Sequence, residues 1–273
     1  MSIEENKAIL RRYVEELCNT GNYGVLDEII HPNMRKSGGG PQANGPERVK
    51  QGIQEIRKKH PDFHRTIIDM VAEGNKVVLY STLSGTHTAE GSDGFAPTGE
   101  AVEMTGVATW FIEDGKIVEE PWSCWNFADL YHPLSKGAIR QFVEKVWNGG
   151  DLEAADQYIA SDYVRHDPTA PEDVQGIAGF KEVVAMYRAA LPDLHLQIED
   201  LIAAENQGET VALRWSGTGT HQSELMGVAP TGKQVNSSGN TFLRLENGKI
   251  AEEWVQWDNL GLLQQIGALP AKE

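Results

Sequence analysis

The stretch that decides the fold begins Thr210-Val-Ala-Leu-Arg-Trp-Ser-Gly-Thr-Gly-Thr-His221 and passes through Met226-Gly-Val-Ala-Pro-Thr-Gly232. It turns at Asn247-Gly248 and closes on Glu252-Glu-Trp-Val-Gln-Trp-Asp258. It reads as a strand, a loop and two further strands, because Asn-Gly accepts the positive φ that a two-residue hairpin turn demands. The chain writes this passage twice. About 130 residues earlier come Ser84-Gly-Thr-His87, Ala96-Pro-Thr-Gly99, Asp114-Gly-Lys-Ile117 and Glu119-Glu-Pro-Trp-Ser-Cys-Trp-Asn126 in the same order. Such an echo marks an internal duplication, and a chain of 273 residues has room for two domains, each with its own core.

Helical spacing precedes the strands in both copies. Ile9, Leu10, Tyr13, Val14 and Leu17 recur at three- and four-residue steps until Asn19-Thr-Gly-Asn22 ends the run. A short helix around Val25 to Ile30 stops at His31-Pro32, and a third carries Val49, Ile53 and Ile56. Four strand-like segments follow: His64 to Val71, Lys76 to His87, Val102 to Ile112 and Lys116 to Trp125. The second copy repeats the order with Ile139, Phe142, Val143 and Val146, then Leu152 to Ile159, then Phe180, Val183, Val184 and Tyr187. Asp162-Tyr-Val-Arg-His-Asp-Pro168 reads as the lead into a loop, and Leu191-Pro-Asp-Leu-His195 matches His60-Pro-Asp-Phe-His64. Three helices followed by a meandering antiparallel sheet is an α+β pattern with the helices on one face. The expected domains are residues 1–131 and 136–273, with Tyr131 to Gly137 as a short linker. Duplication and linker length predict an intramolecular pseudo-dimer packed face to face through its sheets, either a monomer with pseudo-two-fold symmetry or a homodimer.

Composition narrows the function classes. Twenty-four basic and 40 acidic residues give a formal charge of −16, which repels nucleic acid and anionic membrane surfaces. The N-terminus lacks a basic region followed by an apolar run, and no segment approaches the ~20 apolar residues of a membrane span. A cytoplasmic protein is expected. Cys18 and Cys124 lie in different elements of the first half and suggest neither a disulfide framework nor a zinc site. The run Ser37-Gly-Gly-Gly-Pro-Gln-Ala-Asn-Gly-Pro46 lacks the Gly-Lys-Ser/Thr ending of a phosphate loop and reads as a surface loop. No histidine pair has His-x3-His spacing and no Gly-x-Ser-x-Gly elbow occurs, so neither metal nor serine-hydrolase chemistry is indicated.

Taken together, Gly219-Thr-His221, Gly227-Val-Ala-Pro-Thr-Gly232, Asn247-Gly-Lys-Ile250 and Glu253-Trp-Val-Gln-Trp-Asp258 followed by Leu260-Gly-Leu-Leu-Gln-Gln-Ile-Gly267 resemble the SnoaL-like polyketide cyclases. Leu191-Pro-Asp-Leu-His195 and Arg165-His-Asp-Pro168 fit the same pattern. The likeness is fuller in the second half than in the first. It implies a cone-shaped α+β barrel in each half, three helices on a strongly bent sheet around one apolar pocket. It also implies intramolecular aldol ring closure without cofactor or metal, by an Asp on the final strand and a pocket His, which match Asp258 and His221 here. A fold alone does not fix a reaction.

Read from the residues, alternation on the last strand places Trp254, Gln256 and Asp258 on one face and Glu253, Val255 and Trp257 on the other. With the first set facing inward, Asp258 is a carboxylate in an apolar setting, suited to act as a base; the competing reading is a cap on the helix that follows. His221 ends a strand loosened by Gly217 and Gly219, where it either steadies an enolate oxygen or serves only as a strand-end histidine. His166, at the expected pocket mouth, and Arg214, between Leu213 and Trp215, are lesser candidates for substrate binding; Arg214 reads equally as a solvated strand charge. Gln256 completes the expected binding set with Trp215, Trp254 and Tyr187, which read either as pocket wall or as ordinary core.

Allowing one inserted residue at Pro121, Trp122 matches Trp254, Cys124 matches Gln256 and Asn126 falls where Asp258 stands. Asparagine accepts no proton at neutral pH, so the first half is expected to keep the fold without the base. Lys36-Ser37 likewise replaces Arg165-His166. Asp129 lies one turn beyond Asn126, and Cys124 would face the first pocket near His87 or lie buried as a small apolar side chain. The expected activity is cyclase-like proton abstraction α to a carbonyl in a small apolar substrate. Hydrolysis or hydration of an ester, lactone or epoxide, and binding without chemistry, stand as alternatives.

Overall fold

A computed structural model describes residues 2–36, 45–91, 94–204 and 209–270; positions 37–44 of the glycine-rich run lie outside them. The chain forms two compact units, one of Met1–Gly91 with Gly99–Pro133, the other of Ser92–Thr98 with Leu134–Glu273. No helix of the described residues is long and apolar enough to cross a membrane.

In the first unit α1 (Ile3–Arg12) opens on a capping box, in which the Ser2 hydroxyl accepts the Glu5 N–H and the Glu5 carboxylate accepts the Ser2 N–H. The helix then widens into a π-helical segment, Tyr13–Asn19. After α2 (Leu26–Ile29), β1 (Ile30–Lys36) and α3 (Gly45–Lys59) come β2 (His64–Glu73), β3 (Lys76–Thr86), β4 (Ala101–Glu113) and β5 (Lys116–Trp125). The strands order as β1-β5-β4-β3-β2. The second unit repeats this with α4 (Ala128–Phe142), a π-helical segment (Val143–Asn148), α5 (Ala155–Tyr158), β6 (Ile159–His166), β7 (Val174–Gln175) and α6 (Gly176–Ala190). Then follow β8 (His195–Ala203), β9 (Thr210–Thr220), β10 (Gln234–Glu246), β11 (Lys249–Trp257) and α7 (Asn259–Ile266), in sheet order β7-β6-β11-β10-β9-β8. Each unit is thus α+β, with its own buried core.

Two features differ from the sequence reading. The stretch expected as a linker is helical, since α4 runs through residues 131–137 with Pro133 inside it. The stretch expected as the lead into a loop is a strand: β6 pairs in parallel with β11, as β1 does with β5, so each sheet is mixed rather than a pure meander. Both strands pair over a few rungs interrupted by a register shift, and both carry charged or proline residues that mask the period-two pattern.

The duplicated Pro-Asp turns explain themselves. Asp193 accepts the Thr220 N–H at 2.6 Å and the Thr220 hydroxyl at 2.7 Å, and Asp62 accepts the same two groups of Thr86 at 2.6 and 2.7 Å. Each clasp ties the end of the third helix to the long strand. Hydrogen bonds from Thr220, hydroxyl first, hold the Asp193 carboxyl below its ordinary value. A depressed carboxyl stabilises the fold fully above its unfolded value, about pH 4, and the contribution vanishes as pH falls through the folded value. Urea titration should therefore show Asp193→Asn lowering the unfolding midpoint at pH 7 and losing that effect in acid.

Candidate active site in the second domain

The last strand is aimed by one extra residue. From the Asn247-Gly248 turn, whose residues have φ of 48° and 73°, Glu246 pairs with Lys249 and Leu245 with Ile250. The next rung pairs Arg244 with Glu252, leaving Ala251 as a bulge. Beyond it every side chain changes face. Glu253 and Val255 are buried and Trp257 half-buried, while Trp254 and Gln256 are exposed.

The inward face closes a cavity of about 110 Å³, lined chiefly by aliphatic and aromatic side chains from α4, its π-helical extension, α6 and β8 to β11. Its charged lining residues are Arg165 from β6 and Glu253 from β11, paired across the parallel ladder. Arg165 Nη1 donates to Glu253 Oε1 at 2.6 Å, and the fully buried Tyr163 hydroxyl donates to Glu253 Oε2. Arg165 Nη2 donates to Asp167 Oδ2 at 3.3 Å. Burial alone would loosen the guanidinium proton, but Glu253, Tyr163 and Asp167 outweigh it and hold Arg165 firmly charged. Burial, then Glu253, pushes the Tyr163 phenol up, so it remains a donor. Tyr187, edge-on to Trp257 at 6.1 Å, is pushed up to about 12, chiefly by burial. The resulting site is an apolar hollow with one ion pair set into its wall, able to polarise a carbonyl oxygen and to accept a proton beside it.

Of the residues expected from sequence, the cavity gathers Tyr187 and Trp215. Asp258 is exposed and does not face the hollow. It is the N-cap of α7, with Oδ1 accepting the Gly261 N–H at 2.8 Å. His221 is fully buried but closes the loop before β10: its N–H donates to Lys233 O and its carbonyl accepts from Gly232. Its Nδ1 lies 3.1 Å from Thr231 Oγ1, and it is not a lining residue. The His87 backbone closes the matching loop through Glu100 and Gly99 with the same two bonds.

Trp254 and Gln256 are turned outward by the bulge, and His166 stacks on Trp254 at 5.4 Å on that outer face, held by Glu252 and Asp173 at 3.0 and 2.9 Å. Arg214 is an exposed strand charge paired with Asp200 at 2.7 Å. Sequence reasoning missed Glu253, Tyr163 and Arg165. Ala251 and Val255 share the odd-numbered face with Glu253, and Tyr163 and Arg165 alternate at strand spacing, but Trp254 on the even-numbered face and the polar residues around Tyr163 offset both signals.

In the first domain the inserted Pro121 is accommodated by a second register shift, after which Gly106 pairs with Trp125 as Gly239 pairs with Trp257. Asn126 N–H donates to Thr105 O where Asp258 N–H donates to Ser238 O, so the two residues occupy equivalent places. The Asn126 amide donates to Asp129 at 2.7 Å, and Cys124 is exposed rather than facing an interior hollow.

The chain belongs to the SnoaL-like polyketide cyclase family, whose model matches residues 8–134 and again 137–266. No curated protein matches it. Among solved structures it is similar to a candidate polyketide cyclase from Acidithiobacillus ferrooxidans, at 35% identity over 51% of this chain and 94% of that one, with a TM-score of 0.43. It is likewise similar to IdmH, a candidate polyketide cyclase from Streptomyces antibioticus (32% identity, 47% and 95%, TM-score 0.41). A third is AclR, a candidate hydroxylase from Streptomyces galilaeus (31% identity, 50% and 84%, TM-score 0.45).

Removing one partner of a buried pair strands the other charge. Arg165→Met should cost about 3–5 kcal/mol, and Arg165→Met/Glu253→Leu should recover most of it. Asp258→Ala should cost only about 1 kcal/mol, as loss of a cap does. Urea unfolding of the three variants checks this ranking. His166 is raised above its ordinary value, first by the Glu252 hydrogen bond, so its contribution to stability is present at low pH and fades as pH rises through the folded value. Proton NMR should place its midpoint above about 6.5 and show Glu252→Gln lowering it.

Proposed function

We propose that the second domain is a cyclase-like enzyme acting on a small, largely apolar carbonyl compound held in its cavity. The observation that carries this reading is the Arg165–Glu253 pair in an otherwise apolar lining. Glu253 takes the proton α to the carbonyl, and Arg165 steadies the oxygen as the C–H electrons shift toward it. The enolate carbon then attacks a second carbonyl of the same molecule, and the proton on Glu253 passes to the new alkoxide. In this reading Glu253 and Arg165 take the roles that sequence assigned to Asp258 and His221. One observation favours a second reading, binding without chemistry: both Glu253 oxygens already accept hydrogen bonds, one from Tyr163 and one from Arg165.

Exchange of α-protons in heavy water, followed by NMR across a panel of β-keto esters and aryl ketones, separates the two. The wild type should accelerate exchange, and Glu253→Gln should remove about 10²–10⁴-fold of it while ligand binding persists. Binding with no acceleration for any member of the panel leaves the second reading.

A further inference from the structure

One wall of the cavity is an indole laid across bare backbone. Trp215 is paired with Gly239 on β10, and a Cβ on that glycine would stand 2.6 Å from Trp215 Cζ2. Two residues along β9, a Cβ on Gly217 would lie 3.7 Å from Cζ3. Trp215 Nε1 donates to the Thr241 hydroxyl at 3.1 Å, and Thr241 sits two residues beyond Gly239 on the same face. The ring is therefore pinned at its nitrogen, rests over two glycines, and lines the cavity.

The first copy shows what such a ring accepts. Ser81 stands in place of Trp215, and Trp125 covers Gly106, the counterpart of Gly239, where a Cβ would lie 2.2 Å from Trp125 Cε3. The flat guanidinium of Arg65 sits over this indole, its Cζ 5.3 Å from the Trp125 centroid and 5.2 Å from that of Trp110, with Nε donating to Ser81. The counterpart of Arg65 in the second copy is Leu196, which stays in the cavity wall and leaves Trp215 lining the hollow. One copy thus fills its glycine-backed indole with a planar group of its own.

We infer that Trp215 is a specificity-determining residue that selects substrates whose carbonyl is conjugated to a planar ring, stacked on the indole with the carbonyl directed toward Arg165. This rests on reading the cavity as the substrate site. Stacking beyond simple burial predicts a preference of about threefold to tenfold for a planar ring over a puckered one of like size.

Calorimetric titration of the full chain with 1-tetralone and 1-decalone tests it. The wild type should favour 1-tetralone by that factor, Trp215→Leu should bring the two affinities together, and Thr241→Val, which leaves the ring but releases its nitrogen, should reduce the preference. Equal affinities in the wild type, or a preference that survives Trp215→Leu, overturn the selection by Trp215 while leaving the cavity reading intact. If Trp215→Leu fails to fold, an unchanged preference in Thr241→Val overturns it. Binding of neither ketone overturns the cavity reading itself.

Discussion

The extra residue at Ala251 is the constraint on which the site depends. A hairpin with a regular ladder from Asn247-Gly248 would turn Glu252, Trp254 and Gln256 inward and leave Glu253 in water. The bulge reverses this and sets Glu253 against Arg165 on the neighbouring parallel strand. Once that carboxylate is inside, its surroundings must satisfy it, because an unpaired charge in an apolar interior is costly. Arg165 and Tyr163, two residues apart on the inward face of β6, provide one donor for each oxygen.

The duplication supplies a comparison within one chain. Both copies keep the helix order, the Pro-Asp clasp, the parallel pairing of β1 with β5 or β6 with β11, and a buried glutamate, Glu120 or Glu253, beyond a register shift. They differ in what occupies the inward face. Where the second copy places Leu196 and Trp215 in a cavity wall, the first places Arg65 and Ser81, hydrogen-bonded to each other beneath two indoles. The same scaffold thus carries an apolar hollow in one copy and a polar, aromatic interior at the corresponding positions of the other. The distinction lies in side chains of the sheet, away from Asn126 and Asp258.

The family resemblance and the geometry bear on different questions. Membership fixes the fold. The residues that could do chemistry are set by which side chains this chain turns inward. Asp258 illustrates the difference: its place after the strand is the same as that of Asn126, yet its carboxylate is spent on the first turn of α7. His221 likewise sits outside the cavity, its backbone closing a loop that the first copy closes at His87.

Sequence by itself determined the duplication, the helices with apolar stripes, the long strands, the hairpin turns and the correspondence of Asn126 with Asp258, because each rests on local periodicity, turn chemistry or repeated order. It could not decide which face of β11 looks inward. That face carries Glu253 and Trp257, the other carries Glu252 and Trp254, and a single bulge exchanges them. Nor did local pattern reveal β6, whose polar residues make sense as a strand only beside a partner some ninety positions away, as the pairing of Arg165 with Glu253 shows. Only the folded sheet joins those distant segments, and the joining turns a Tyr-Val-Arg run that reads locally as the lead into a loop into the polar wall of the cavity.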